Sequence, residues 1–168
     1  MRALFKGHKD VVNSVAFSPN GRFLVSGADD RSVRTWNLQD GSSYVLPVIG
    51  RISCFISVAF SPNGRYIAGG NLDNSLWIWD SRTSRLVAKW CGRSDDVWCI
   101  EFTPDGKGLM SGGSDKMVRH WDVSSLGTCQ GSSASLVVNE ERGFPEVRRF
   151  LGHNVCLFFR FEFSCPHV

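Results

Sequence analysis

What this 168-residue chain lacks narrows it first. No apolar run approaches the roughly 18 residues that a membrane-spanning helix needs, so no membrane partner is expected. Residues 1–7 are short and polar, without the pattern of a secretory signal. The six cysteines show no disulfide framework, and without such a signal reduced thiols are expected, which suggests nucleus or cytoplasm. Cys54 and Cys99 fall at or near inner strands, where a cysteine usually serves as a small buried hydrophobe. The net charge is only +3, and Lys and Arg are dispersed and form no stripe, so direct nucleic-acid binding is not expected. Helical periodicity of any length is missing. So are a phosphate loop, a metal cluster and a credible nucleophile, which argues against an enzyme and against any cofactor or metal.

What the chain does contain is one sentence written three times. Ser14–Asn37 (SVAFSPNGRFLVSGADDRSVRTWN) returns as Ser57–Asp80 and as Cys99–Asp122. Trp36, Trp79 and Trp121 lie 43 and then 42 residues apart, and Phe17, Phe60 and Phe102 keep the same spacing. Each copy reads as short half-buried strands separated by turns. Val15 and Phe17 alternate with Ala16 before Ser18-Pro19-Asn20-Gly21, where Pro presets φ and Gly takes the positive φ that other residues avoid. Phe23–Val25 begins a second strand, Asp29-Asp30-Arg31 makes a turn, and Val33–Trp36 is a third. A fourth strand is expected after each copy, at Tyr44–Val48, Leu86–Trp90 and Val147–Leu151. Four strands per unit and a period in the low forties predict an all-β fold of propeller blades.

These marks carry a resemblance to the WD-repeat family of β-propellers. Gly7-His8 precedes the first copy, Trp36-Asn37 ends it, and Trp79-Asp80 and Trp121-Asp122 end the others. Asp30, Asp73 and Asp115 all stand six residues before the Trp. The resemblance implies a buried polar relay of His, Ser or Thr, Asp and Trp within each blade. His8, Ser26, Asp30 and Trp36 fill it in the first repeat. The second keeps only Asp73 and Trp79, because Arg51 and Gly69 stand at the His and Ser positions. The third has Arg93 for His and retains Ser111, Asp115 and Trp121.

His8, Ser26 and Asp30 also spell a hydrolase triad. A triad needs an exposed serine on a strained elbow with oxyanion donors beside it. Ser26 falls mid-strand without a Gly-x-Ser-x-Gly, and a relay from indole to hydroxyl to imidazole to carboxylate accounts for all four residue types. A fold-holding role is expected.

The repeats occupy approximately 3–40, 46–83 and 88–125, with an insert at 124–146 and the start of a fourth at 147–153. Residues 1–153 thus read as a partial propeller. A closed one needs roughly 4–8 blades, so the chain reads as a fragment of a larger propeller or as one that finds its missing blades elsewhere. Ser124–Ser135 is rich in Ser and Gly and reads as a mobile loop, either a tolerated excursion or a binding element. Residues 154–168, crowded with Phe and without the repeat's turn, read as a non-homologous tail. His153-x-x-Cys156 and Cys165-x-His167 have some likeness to zinc ligands, but His153 already belongs to a Gly-His pair. Open blade faces and an apolar tail predict that the isolated chain self-associates or aggregates.

Function is expected to follow from shape, since blade loops converge on two faces and offer a rigid platform to proteins or peptides. Asn13, Ile56 and Trp98 occupy one rim position just before the inner strand, and Arg34, Trp77 and Arg119 occupy another, two residues before the repeat Trp. Asn13, Trp98, Arg34, Trp77 and Arg119 are the candidate contacts; for Trp77, packing between blades is equally consistent. Gly-Arg-Phe/Tyr at 21–23 and 64–66, Leu72–Leu76 and the Ser/Gly-rich loop resemble the propeller of Tup-type, Groucho-like corepressors. That likeness implies a transcriptional corepressor scaffold for DNA-bound regulators. Trp79-Asp80-Ser81-Arg82 instead resembles a short motif of cullin-type ubiquitin ligase receptors. A chain without independent function is the remaining reading.

Overall fold

In the computed structural model of the chain, residues 4–50, 52–90 and 96–127 are described, together with the backbone of Val137–Asn139 and Phe150–Leu151. Apart from a 3-10 turn at Ser124–Gly127, every described element is a strand. β1 (Val12–Phe17), β2 (Phe23–Ala28), β3 (Val33–Asn37) and β4 (Ser43–Val45) form the first sheet in chain order, all antiparallel. β5 (Phe55–Phe60), β6 (Tyr66–Asn71), β7 (Leu76–Asp80) and β8 (Leu86–Trp90) form the second. β9 (Val97–Phe102), β10 (Gly108–Gly113) and β11 (Met117–Asp122) form the third. Each sheet is one blade.

The repeat's turns explain why the strands recur in register. Ser18 Oγ accepts the Phe23 amide and donates to Asn20 Oδ1 at 2.7 Å, while Gly21 takes a φ of 65°. Ser61, Asn63 and Gly64 repeat this arrangement, and so do Thr103, Asp105 and Gly106. The second turn also recurs. Asp30, Asp73 and Asp115 each accept the amide two residues on, at 3.0, 3.2 and 3.0 Å. The intervening Arg31, Asn74 and Lys116 all sit in the left-handed region, at φ 64°, 69° and 60°. An Asp-based turn of this kind holds a position that L-residues otherwise avoid.

Of the outer strands, β8 falls on Leu86–Trp90 as expected, whereas β4 is shorter than Tyr44–Val48 at its far end. β4 ends at Val45, because Pro47 lacks an amide donor for the ladder. The second sheet has a fifth strand, β12 (Val137–Asn139), parallel to β8 and drawn from the insert. β13 (Phe150–Leu151) pairs antiparallel with β11 as the third blade's fourth strand, within the expected Val147–Leu151, of which residues 147–149 lie outside the described residues. The tail 154–168 and its cysteines and histidines, with Arg51, Arg93 and His153, lie outside the described residues.

The apolar core lies between blades and not inside one sheet. A blade's leading face is turned toward the preceding blade, and its trailing face toward the following one. Val25, Val33 and Leu46 of the first blade's trailing face pack on Phe55, Val58, Ile67, Trp77 and Trp79 of the second blade's leading face. Leu76, Ile78, Ala88 and Trp90 behind them meet Val97, Ile100, Phe102 and Leu109 of the third. Two faces are left over, the first blade's leading face and the third blade's trailing face, and no described residue covers either as a neighbouring blade would.

Candidate functional site: a buried relay and a loop rim

In the first blade the four relay residues meet. Trp36 Nε1–H donates to Ser26 Oγ at 2.7 Å, Ser26 Oγ lies 2.6 Å from His8 Nε2, and His8 Nδ1 lies 2.9 Å from Asp30 Oδ2. With the indole donating to the hydroxyl, the hydroxyl donates to Nε2 and Nδ1–H donates to the carboxylate. The Ser32 hydroxyl adds a bond to Asp30 Oδ1 at 2.6 Å, and the Lys9 amide one to Oδ2 at 2.9 Å. Burial alone would raise the Asp30 carboxyl, but the bonds from Ser32, the Lys9 amide and His8 outweigh it and hold it at about 2. Ser26 is only 2% exposed and its hydroxyl is engaged by both indole and imidazole. Its oxygen is enclosed in the sheet and not presented to a substrate, as a triad nucleophile must be.

The second blade handles the same positions differently. With glycine at 69 there is no hydroxyl to receive Trp79, whose Nε1–H donates instead to the Pro47 carbonyl of the first blade at 2.7 Å. Asp73 accepts the Ser75 hydroxyl, and Ser75 Oγ in turn accepts Trp77 Nε1–H at 2.7 Å. Asp73 and Trp79, expected to share a relay, therefore belong to two separate arrangements. Trp77 is not a rim contact: it is fully buried, stacked on Trp79 with ring centroids 5.9 Å apart and planes 13° from parallel. A Cβ at Gly69 would come within 3.0 Å of Trp79 and 3.1 Å of Phe55, so the aromatic rings occupy the space a serine would need.

In the third blade Trp121 Nε1–H donates to Ser111 Oγ at 2.7 Å, and the Trp121 ring stacks on Trp90 of the preceding blade at 5.5 Å. Asp115 is paired with Arg119 of its own blade. Arg119 is thus turned inward to a carboxylate and is only partly accessible, which removes it from the rim. Arg34 is half-buried in the same way, with its guanidinium 5.9 Å from the Trp36 ring and one nitrogen 3.5 Å from Ser43 Oγ.

Two of the five rim candidates have exposed side chains on inner strands. Trp98 is 50% exposed on β9. Asn13, also exposed, donates to Asp29 Oδ1 at 2.7 Å and to the Phe55 carbonyl at 3.2 Å, so it ties the first inner strand to the second while facing the rim. Cys99, expected to be buried, is exposed, and Cys54 is half-buried. Among the described residues no group of three or more His, Cys, Asp or Glu could hold a metal, and no helix is long and apolar enough to cross a membrane. The Trp79-Asp80-Ser81-Arg82 stretch is a strand end running into a turn. Burial would raise Asp80, but the Thr83 amide and hydroxyl, the Arg82 amide and the Arg65 charge hold it below the usual range.

Four-stranded blades stacked face to face, with a polar relay tying loop to strand, define a repeat of the β-propeller class. The WD domain, G-beta repeat family matches residues 2–37, 50–80 and 84–122, and the chain belongs to that family. It is similar to WD repeat-containing protein SL1-17 of Schistosoma mansoni, with 46% identity over 114 residues, 67% of this chain and 37% of that protein. The small ribosomal subunit protein RACK1 of Schizosaccharomyces pombe is 32% identical over 130 residues, 74% of this chain and 41% of that protein. In three dimensions the chain superposes on the RRP9 WD40 repeats with a TM-score of 0.69 at 25% identity, over 72% of this chain and 38% of that one. It spans less than half the length of each.

Proposed function

We propose that the chain is a non-catalytic protein-binding platform whose contact surface is the loop rim around Trp98 and Asn13. The observation that carries this is Trp98, a large aromatic left half exposed on an inner strand whose alternate residues Val97, Ile100 and Phe102 are buried. Tryptophan at a rigid rim is the side chain most often found dominating peptide affinity, because it brings large apolar area at little entropic cost. The finer reading is a corepressor scaffold that holds peptides of DNA-bound regulators, which would place the protein in the nucleus. A ribosomal subunit protein among the similar proteins favours the broader reading, a scaffold in any of several nuclear or cytoplasmic assemblies.

Peptide-library selection against the whole chain tests this. Selected peptides should bind Trp98→Ala at least roughly 30-fold more weakly, the scale of a central interface residue, while its melting temperature stays near that of the wild type. Selected peptides that bind the variant and the wild type equally would remove Trp98 from the contact surface. Competition by peptides from transcriptional regulators, and not from ribosomal proteins, would single out the corepressor reading.

A further inference from the structure

On the loop face one device recurs in every blade and sets two of its side chains next to each other. The Asp29 amide donates to the Val11 carbonyl at 2.9 Å, the Leu72 amide to the Cys54 carbonyl at 3.1 Å, and the Ser114 amide to the Asp96 carbonyl at 3.4 Å. The Cys54 thiol in turn donates to the Asp29 carbonyl at 3.6 Å, which joins the first pair to the second across the blade seam. Each inner strand is bulged close by, at Asn13, Ile56 and Trp98, the residues that its ladder register skips. A bulge re-aims a side chain out of the regular pleat, here at the strand end where these pairs lie.

In blade order the row runs acid, apolar, acid. Asp29 comes first, with Val11 60% exposed beside it. Cys54, Leu72 and Ile56 are half-buried in the middle, and Asp96 comes last, next to Trp98. Asn13 Nδ2 donates to Asp29 Oδ1 at 2.7 Å. Among the described residues nothing else bonds the Asp29 carboxylate, and nothing bonds that of Asp96. The turn aspartates Asp30, Asp73 and Asp115, by contrast, are committed to their own turns. Arg31 and Lys116 stand exposed at the turn tips and oppose a cation on this face. At Cys54, however, Asp29 prevails: burial and then the bond and charge of Asp29 push the thiol up, against smaller pulls from Ser53 and Arg31. The seam is therefore negative as well as apolar.

We propose that this face selects a peptide segment in which an apolar residue is flanked on both sides by Lys or Arg. The apolar residue settles over Cys54, Leu72 and Ile56, and the two cations reach Asp29 and Asp96. This selectivity rests on the loop rim being the contact surface, and it adds the chemistry that the rim chooses. Carboxylates beside apolar surface are screened less than those in open solvent. They attract a basic flank and repel an acidic one, and charge placed in this way sets specificity more than raw affinity. The apolar centre supplies the area that surface charge pairs alone do not, since those contribute little.

Display selection of random linear peptides on the whole chain tests the proposal. Bound peptides should be enriched in Lys and Arg on both sides of an apolar residue, and depleted there in Asp and Glu. Asp29→Asn and Asp96→Asn keep the shape and remove one charge. Each should weaken a selected peptide about 5-fold, the upper end for a charge pair that stays partly exposed. Replacing one flanking lysine of the peptide by norleucine should cost a similar factor on the wild type. On one of the two variants it should cost almost nothing, which pairs that lysine with its carboxylate. Circular dichroism and a cooperative melt establish that each variant is folded, and Asp29→Ser replaces Asp29→Asn if the latter is not. Selected peptides without basic flanks, or affinities that neither variant changes, would overturn the proposal; if Trp98→Ala still weakens those peptides, the rim itself stands. A library that yields no binder, or only binders indifferent to Trp98→Ala and to both Asp variants, would remove the rim and this selectivity together.

Discussion

The first and second blades bury an equivalent tryptophan and satisfy it in opposite ways. In the first, Trp36 points its N–H at Ser26 within its own sheet, and the bond continues through His8 to the Asp30 carboxylate. In the second, Trp79 reaches across the interface to the Pro47 carbonyl, and the space of the missing serine is filled by the Phe55 and Trp79 rings, with Trp77 stacked parallel on Trp79. One blade is fastened by a chain of polar bonds and the other by stacked aromatic area. The fixed requirement is that a buried indole N–H find an acceptor. Which acceptor it finds depends on the residues opposite it.

Truncating the aromatic stack should produce the largest effect. Trp77→Ala removes a fully buried ring that touches Trp79 and Phe55, and should cost about 3–5 kcal/mol in denaturant unfolding. All melts are compared at one protein concentration, since association would shift them. A loss below about 1 kcal/mol, the size of an ordinary surface change, would mean that Trp77 is not buried as described.

Ser26→Ala attacks the other fastening. It leaves the Trp36 N–H and a His8 nitrogen without their partner in a closed site, and should cost about 1–3 kcal/mol. Gly69→Ser is the reciprocal change. It does not transplant the relay, because its Cβ would press on Trp79 and Phe55 at 3.0 and 3.1 Å, and overpacking should destabilise by about 1–3 kcal/mol. A stabilised Gly69→Ser protein would show that the second blade can hold its tryptophan in the first blade's way.

Much of this difference could be read in the sequence, and part of it could not. The period, the turn residues and the tryptophans place all three blades, because Pro-Asn-Gly and the turn aspartates act locally. The first relay is legible for a related reason: all four residue types are present at their spacings. Gly69 announces that the second relay is broken, but not where Trp79 turns, since the Pro47 carbonyl lies 32 residues away. A local signal did exist for Trp77. Ser75, two residues before it, can accept its N–H while donating to Asp73, which favours burial over the rim. Arg119 could be read similarly as the cation for Asp115, four residues before it. The parallel pairing of β12 with β8 joins residues some 50 apart, and no periodicity in the insert foretells it.

Acid probes the first blade's relay by a different route. Asp30 is held at about 2 when folded against an ordinary value of 3.8. The folded state thus binds its proton more weakly than the unfolded state. The stabilisation, roughly 2 kcal/mol for a shift of this size, is complete at pH values well above 3.8 and drains away as pH falls through about 2. Asp30→Asn should make the acid limb of stability against pH shallower, with the lowered Asp40, Asp80, Asp105 and Asp122 carboxyls supplying what remains. Trp77→Ala should lower the whole curve and leave the limb's slope unchanged. If both variants keep the same acid limb, the titrating carboxylate lies elsewhere.

The smallest expected effect concerns the charge over the second blade's stack. Lys89 Nζ lies 4.3 Å from the centre of the Trp77 ring, while in the first blade Arg34 is 5.9 Å from Trp36. A cation over an indole face contributes about 0.5–1 kcal/mol at a partly exposed site. Lys89 is half-buried and its stem lies along β8, so the substitution should preserve the stem and remove only the charge. Lys89→Met does this, and should cost about 0.5–1 kcal/mol in the wild-type background by the same contact. In a Trp77→Leu background, which keeps an apolar side chain and deletes the ring's electron-rich face, the same substitution should cost almost nothing. The difference between the two costs isolates the cation–ring contact from packing. Equal costs in both backgrounds would mean that Lys89 acts through its stem alone, leaving the second blade held by aromatic area without help from charge.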